Sequence, residues 1–459
     1  MSSSDKFVEK VLNKNKETGG SMHSTFPGGI HPAENKLTFN KEIKRIKNPS
    51  TLVLPMGQHI GAPAKAAVEV GDEIQPHQLV GKAGGFVSAN IHTPLGGKVI
   101  GVGNFPHPNG NKAPSVVVEV AEVQGEKIKI HSEDINSMTP KQMIDIISKA
   151  GIVGMGGATF PAHVKLSPPP SKPIDTVILN GVECEPYLTS DHRVMLEEAD
   201  EIIEGLKLLI KILDAKKGYI GIENNKPDAI KLMIEKVKDI ENIEVVSLTV
   251  KYPQGAEKQL IYAVTGRQVP SGGLPMDCGC VVQNVGTSQA IYRALKYGEP
   301  FMERVVTLSG SLIKNPGNYM VPVGTLVSEL VEITGGLTAD PYKIISGGPM
   351  MGLALTGMDV PVTKGTSGLL FLTKEEVKDV KEYDCISCGS CVSICPMWLT
   401  PCDIAKYSKK RMHEEVQNLG LMDCVECGSC AYVCPSGLPL VHTFKTEKKM
   451  LGDWLKQNS

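Results

Sequence analysis

Two stretches of this chain could hold metal: CISCGSCVSICP at Cys385–Pro396 and CVECGSCAYVCP at Cys424–Pro435. Each reads C-x2-C-x2-C-x3-C-P, and together they contain eight of the twelve cysteines. Three thiolates at this spacing wrap a tight Gly-containing loop around one face of an iron–sulfur cubane. Where two such runs occur in one domain, the fourth cysteine, followed by proline, ligates the other cluster. The pattern assigns one [4Fe–4S] cluster to Cys385, Cys388, Cys391 and Cys434, and the other to Cys424, Cys427, Cys430 and Cys395. Zinc sites instead favour paired C-x2-C knuckles, and a reducing cytosol disfavours disulfides. Cys402 falls outside both sets and reads as packing, while Cys184, Cys278 and Cys280 lack the spacing for a further four-ligand site.

Such clusters pass single electrons and do no bond chemistry themselves, so a second site must supply or accept the electrons. The chain has room for one. Its 459 residues suggest about three or four domains. A formal charge of −2 removes the electrostatic case for nucleic acid, which calls for a basic surface. No stretch approaches the roughly 18 uninterrupted apolar residues of a membrane-spanning helix. MSSSDKFVEKVLNKNKETGG lacks the apolar middle of a signal peptide. The expectation is a cytosolic polypeptide, with peripheral attachment to a membrane complex left open.

Residues 36–120 are rich in Val, Ile, Gly and Pro and read as short strands with turns. Within them, VEVGDEIQPHQLVGKAGGFVSANIHTPLGGKV resembles a biotinyl/lipoyl-type barrel-sandwich module. The hairpin tip between the halves, AGGFVSAN, has no carrier lysine, and the nearest, Lys82, is displaced from it. A structural module is therefore expected. KQMIDIISKAG reads as a helix ending at Gly151. TVILNGVE and KGYIGIENN read as strands, and MLEEADEIIEGLKLLIKIL and DAIKLMIEKVKDI as helices. This alternation predicts an α/β layer with a largely parallel sheet. From about residue 301, RVVTLSGSLIKNPGNYMVPVGTLVSELVEITGGL suits a β-grasp module with one helix across a sheet. Basic residues cluster in KYSKKRMH (Lys406–His413) and KTEKKM. Solvated helix faces usually explain such runs, although Lys406–Lys410 could also dock an acidic partner.

Gly151–Pro161 reads GIVGMGGATFP. A dinucleotide fingerprint follows a strand and opens a helix, whereas this loop follows a helix and runs into Phe-Pro. Lys165 comes next, then NGVECEPYLTSD (Asn180–Asp191), YPQGAEKQ (Tyr252–Gln259) and VVQNVGT (Val281–Thr287). In order, these segments resemble the flavin- and NADH-binding subunit of respiratory complex I and its relatives. There a loop G-x-G-G-x-x-F-P-x-x-x-K is followed by N-x-x-E-x-E-P, a Tyr-containing G-x-E segment and an N-x-x-T turn. The resemblance implies an FMN and NAD(H) site. It places Gly154, Gly156, Gly157, Phe160 and Lys165 in the loop, and Asn180, Glu183, Glu185 and Asp191 in the acidic segment. Tyr252, Gly255, Glu257, Asn284 and Thr287 lie beyond. Three positions depart from the pattern: Met155 stands where complex I has Arg, Val182 replaces Asp, and Ala256 replaces the first of two adjacent Glu. The chemistry is coherent, since glycine backbone can approach a ring or phosphate closely and a flavin exchanges hydrides for single electrons.

The order of modules resembles the C subunit of the Rnf electron-transport complex, a membrane-bound, ion-coupled ferredoxin:NAD+ oxidoreductase. The likeness covers about residues 25–440 and includes TFPGGIHP, ECEPY and SGGPMMG. It implies a multidomain α/β chain with six parts. These are an N-terminal segment (1–35), a barrel-sandwich hybrid module (36–125), a complex I-like FMN/NADH domain (126–300), a β-grasp (SLBB-like) module (301–372), a helical two-[4Fe–4S] ferredoxin-like domain (373–445) and a tail (446–459). It further implies NAD(H) as substrate, hydride transfer at FMN with no catalytic side chain, and attachment at the cytoplasmic face of the membrane. Other membrane and iron–sulfur subunits would be partners, with ferredoxin an indirect donor. Two alternatives stand beside this: a soluble flavin/iron–sulfur reductase of a corrinoid or quinone, and a cluster-only relay scaffold. A cobalamin reductase family shares three of the modules but carries the barrel-sandwich at its other end.

Overall fold

A computed structural model describes residues 24–377 and 380–458. The segment in which no signal peptide is expected lies outside them. Strand β1 (Ile43–Arg45) is followed by seven more: β2 (Thr51–Pro55), β3 (Lys65–Ala66), β4 (Glu73–Ile74), β5 (Leu79–Lys82), β6 (Ile91–His92), β7 (Gly97–Pro106) and β8 (Lys112–Val120). Strands β2–β8 make two small antiparallel sheets, β2-β8-β7-β4 and β3-β5-β6, closed around Leu52, Leu54, Val80, Ile91, Val99 and Val116. Val53 and Val117, on the opposite face, are buried as well. The edge is covered by the later β-grasp module, since Val53 N–H donates to Gly324 O (2.8 Å) and Val323 joins the barrel core. With both faces covered, these strands read as apolar runs rather than alternating ones.

The hairpin tip of this barrel is pinned. Asn90 Nδ2 donates to Lys149 O (3.1 Å), and Asn90 O accepts from Lys364 Nζ (2.7 Å). Phe86 O lies 2.9 Å from His163 Nε2. A swinging carrier arm has no counterpart in these contacts.

Helix α1 (Pro140–Lys149) opens with a capping box between Thr139 and Gln142 and stops where Gly151 turns to φ +66°. After the short α2 (Ala162–Lys165) come β9 (Thr176–Gly181), α3 (Ser190–Glu197), α4 (Ala199–Leu213), β10 (Lys217–Glu223), α5 (Pro227–Val237), β11 (Ile243–Leu248), α6 (Glu257–Thr265), β12 (Cys280–Asn284) and α7 (Val285–Tyr297). The four strands form a wholly parallel sheet, β11-β10-β9-β12. Val177, Leu179 and Val281 face a core shared with α1, α4, α5 and α7. Ile178, Val246 and Val282 face α6 on the other side. The helical run expected from Met195 to Leu213 is two helices with a break at Glu198. The break lets α3 contact the Glu303–Ser309 strand of the neighbouring sheet while α4 packs on β9.

The β-grasp sheet has the order β1-β14-β13-β17-β15-β16, built from β13 (Glu303–Ser309), β14 (Gly317–Pro322), β15 (Lys343–Ser346), β16 (Leu353–Leu355) and β17 (Gly368–Leu372). Helix α8 (Val327–Ile333) buries Leu330 against Val306, Val321 and Phe371. Ile43–Arg45, numbered within the expected barrel module, pairs in parallel with Asn318–Met320 of this sheet instead.

Short helices make the C-terminal domain: α9 (Ser390–Ser393), α10 (Pro401–Lys409), α11 (His413–Asn418), α12 (Ser429–Tyr432) and α13 (Leu440–Asn458). Their core is Ile404, Val416, Leu421, Phe444 and Leu451. The stretch set apart as a tail from residue 446 continues α13, and Leu451 within it is fully buried.

Candidate functional site

In the parallel sheet the chain runs from β9 outward to β10 and β11, then returns to place β12 on the other side of β9. The strand order therefore reverses between β9 and β12. Ligands of open α/β sheets bind in the crevice outside the carboxyl ends of the strands at such a point. Asn180 and Asn284 are register partners at those ends.

The glycine loop lies over this crevice. Gly154 N–H donates to Phe160 O (2.9 Å), closing the loop. Met155 N–H donates to Thr287 Oγ1 (3.0 Å) on the first turn of α7. A Cβ on Gly156 would stand 3.0 Å from Asn284 Nδ2, and Gly157 has open space where a Cβ would be. Asn284 accepts from Gly286 N–H (2.8 Å), capping α7, and its amide donates to Asp191 Oδ2 (2.7 Å). Asn180 donates to Gly255 O (2.8 Å) and accepts from Val182 N–H (3.1 Å). Lys165 Nζ pairs with Glu257 Oε1 (2.6 Å) and donates to Val282 O (2.9 Å).

Glu183 caps α3: Oε1 accepts from Asp191 N–H (2.7 Å) and Oε2 from His192 N–H (3.2 Å). Burial, and then the neighbouring Glu183 charge, push the Asp191 carboxyl up to about 7. Two expected contact residues turn their polar atoms elsewhere. Glu185 accepts from Met350 N–H (3.0 Å) and Met351 N–H (2.8 Å), tying the SGGPMMG turn to the crevice. Tyr252, 1% exposed, donates to Cys427 O (2.7 Å) in the second cysteine loop.

These residues fit a flavin mononucleotide. Backbone at Gly157 is open to a ring or phosphate, while the α7 N-terminus is capped by Asn284 and holds the glycine loop through Thr287. Spare hydrogen-bonding capacity lies next to them in sequence: Gln254 is fully buried with both amide atoms unbonded, and Gln283 leaves Nε2 unbonded.

Three inward-turned cations complete the surroundings, and sequence reasoning missed all three. Arg304, on β13, donates to Lys364 O (2.7 Å) and reaches Met155 O (3.5 Å). Burial lowers its guanidinium to about 10, with Asp191 and Glu183 opposing. The β-grasp sheet thus brings an arginine to the loop position that has Met155 in place of Arg. Lys364 Nζ joins Asn90 O to Gly151 O (2.7 Å each), and burial lowers it to about 7. Lys36 Nζ binds the carbonyls of Glu183 (2.8 Å), Glu185 (2.8 Å) and Leu188 (2.7 Å), and burial lowers its pKa. Each is a lone cation in a segment with no motif, so no local signal marks it.

The two cysteine runs fold alike. Ser387 N–H donates to Cys385 Sγ and Glu426 N–H to Cys424 Sγ, both at 3.4 Å. Gly389 and Gly428 take φ +75° and +85° and lead into α9 and α12, a left-handed turn that favours glycine. A void beside the second run is lined by Cys395, Cys424, Cys427 and Cys430, with Pro396, Met397 and Phe444 around them. These are the four ligands of the exchanged assignment, and the residues fit a [4Fe–4S] cluster. Of the other set, Cys391 is buried and Cys434 half-buried, while Cys385 and Cys388 are exposed. Cys402 packs in the same core beside Cys391.

Known families match each module: an RnfC barrel sandwich hybrid domain at residues 24–122, a Nuo51 FMN-binding domain at 147–293, an SLBB domain at 305–354 and a 4Fe-4S dicluster domain at 384–438. The chain is 48% identical over 396 residues to the C subunit of the proton-translocating ferredoxin:NAD(+) oxidoreductase complex of Clostridium ljungdahlii, covering 86% of each chain. It is 46% identical over 395 residues to the Na(+)-translocating counterpart of Acetobacterium woodii, covering 85% of this chain and 88% of the relative. Among solved structures, an NAD+-reducing [NiFe]-hydrogenase in the H2-reduced state aligns with 69% of this chain and 61% of its own, at 17% identity and a TM-score of 0.46. With four matched modules in this order and close relatives along most of its length, the chain belongs to the family of C subunits of ion-translocating ferredoxin:NAD(+) oxidoreductase complexes.

Proposed function

We propose that this chain is the NAD(H)-exchanging subunit of a membrane-associated ferredoxin:NAD(+) oxidoreductase, working with membrane and iron–sulfur subunits and receiving electrons indirectly from ferredoxin. No helix among the described residues is long and apolar enough to cross a membrane. Peripheral attachment at the cytoplasmic face accords with that. An FMN held at the crevice would supply the conversion between a hydride exchanged with NAD(H) and single electrons exchanged with iron–sulfur clusters.

The chain's own residues bind and orient. Gly154, Gly156 and Gly157 present backbone to the flavin, with Phe160 following in the same loop. Asn284 and Thr287 hold the glycine loop and Asp191 against the start of α7, and Asn180 with Gly255 fixes the loop after β9. Lys165 and Glu257 place a paired charge at the crevice, and Glu183 with Asp191 keeps the α3 terminus in register with Asn284. Glu185 and Tyr252 hold the neighbouring modules against the site. Cys385, Cys388, Cys391 and Cys434 would hold one cluster, and Cys395, Cys424, Cys427 and Cys430 the other.

One observation carries the reading. The YPQG loop bonds the crevice through Gly255 O and the second cysteine loop through the Tyr252 hydroxyl, so the two sites share a wall. Anaerobic reconstitution tests it. About eight irons and one FMN per chain, with the flavin bleached by NADH, is the expected result. Clusters without flavin, and no response to NADH, would leave only a relay.

A further inference from the structure

The two cysteine loops are near copies of one another, but only one of them is covered. Around the second run, Val425 packs with Ile30, Tyr252 and Met350. A Cβ on Gly428 would stand 3.2 Å from Met350 O. The end of the first run, around the Cys395 assigned to the second cluster, is covered too, since Gln259 Nε2 donates to Pro396 O (3.2 Å) and Gly29 N–H to Ile394 O (2.8 Å). The positions of the first run that correspond to Val425 and Gly428 are bare. Ile386, the counterpart of Val425, is 67% exposed, and Gly389, the counterpart of Gly428, has nothing within 4 Å of its Cβ position. Every residue from Val380 to Cys388 is exposed. An exposed isoleucine between two exposed ligand thiols is an apolar surface at the point where a redox centre comes nearest to solvent.

Beside this loop, past the acidic Glu382 and Asp384 that lead into it, lies a cluster of four exposed cations. Helix α10 packs on α9, and its end carries exposed Lys406, Lys409, Lys410 and Arg411. Lys409 reaches back to Glu382 (3.5 Å), three residues before Cys385, so the basic end and the bare loop adjoin.

We infer that the Cys385–Gly389 loop and the basic end of α10 form the docking face for a separate iron–sulfur protein with an acidic surface. It covers the first run as the flavin domain covers the second. This rests on the electron-exchanging function proposed above. Each encounter delivers one electron, so two encounters and one proton from solvent account for each NAD+ converted to NADH. Acidic-to-basic steering raises encounter rates and is weakened by salt.

The test uses the cluster- and flavin-loaded chain in its native membrane complex, with a photo-crosslinking side chain at position 386 and a control at exposed Val123. The expected adduct at 386 joins an acidic peptide of an iron–sulfur subunit. Lys409→Glu/Lys410→Glu should lower its yield about tenfold at low ionic strength, and the deficit should shrink in high salt. An adduct with lipid or with a second copy of this chain, or none at 386, overturns the proposal. An unchanged yield after charge reversal overturns its acidic-surface part. Flavin bleaching by NADH is read on the same samples. Its loss in the unmodified chain would refute the proposed function, whereas normal bleaching without the adduct would refute only the docking face.

Discussion

Exchanging Glu185 for glutamine removes a carboxyl group that the fold prefers neutral while keeping its shape. Burial lifts this group from an ordinary 4.5 to about 7, against the opposing pull of the Met350 and Met351 N–H groups and Lys36. A carboxyl raised in the folded state stabilises most below its ordinary value, and that contribution is lost as pH rises through about 7. From 4.5 to about 7, at roughly 1.4 kcal/mol per tenfold, the change is about 3 kcal/mol. What weakens is the tether between the ECEPY loop and the SGGPMMG turn, because Glu185 accepts both N–H groups there. Amide hydrogen exchange at Met350 and Met351, corrected for intrinsic rates, reads it directly. Protection in the unaltered protein should fall from pH 5 to pH 8, by at most about seventyfold if opening frees the carboxyl completely. Glu185→Gln should show a nearly flat profile. It should lie below the unaltered protein at pH 5 by about 1–3 kcal/mol, since the amide has one accepting oxygen for two donors. Protection that rises with pH, or a variant that keeps the original slope, would refute the argument.

Gly348→Ala should release the same turn at every pH, because its Cβ would stand 2.2 Å from Glu185 Oε2; the same exchange measurement checks it. Lys36→Met leaves three inner carbonyls without their donor, and a loss of about 2–4 kcal/mol should appear in the urea midpoint. Gly156→Ala forces a Cβ against the Asn284 side chain. FMN content after reconstitution should fall at least about tenfold, with circular dichroism unchanged. Cys395→Ser combined with Cys424→Ser should cost no more than one cluster by electron paramagnetic resonance, whereas Cys395→Ser with Cys385→Ser should cost both. The reverse outcome would overturn the exchanged ligand sets.

Legibility in the sequence followed locality. The cysteine runs were readable because cluster ligation depends on spacing within about a dozen residues. The parallel sheet was readable because each strand and helix carries its own period, and the four flavin-site segments each end or begin such an element. The Ile43–Arg45 strand was not readable as part of the β-grasp sheet, because its partner lies at Asn318–Met320 and a three-residue strand has no pattern to register. Arg304 sits in an apolar strand pattern and Lys36 in a loop. Their roles come from backbone carbonyls far away in the chain, and carbonyls leave no trace in residue type. The break at Glu198 was hidden for a related reason. Helical periodicity continues through it, and what sets the first half apart is its added contact with the β-grasp sheet.

Residues near the start of the described chain close onto its middle and onto its C-terminal domain. A Cβ on Gly28 would meet the Ile394 and Cys395 carbonyls, Ile30 pairs with Tyr252, and Lys36 enters the ECEPYL loop. On the ribosome the first of these leaves some 360 residues before Cys395 is made, a delay of roughly 20–70 s at about 5–20 residues per second. Through that interval Ile30, buried in the finished protein, lacks its C-terminal neighbours Ile394 and Cys427. The Gly28 contact with the Ile394–Cys395 backbone therefore forms only after most of the chain has been made. A bulky fusion just ahead of Ser24 should hinder that closure more than one appended after α13.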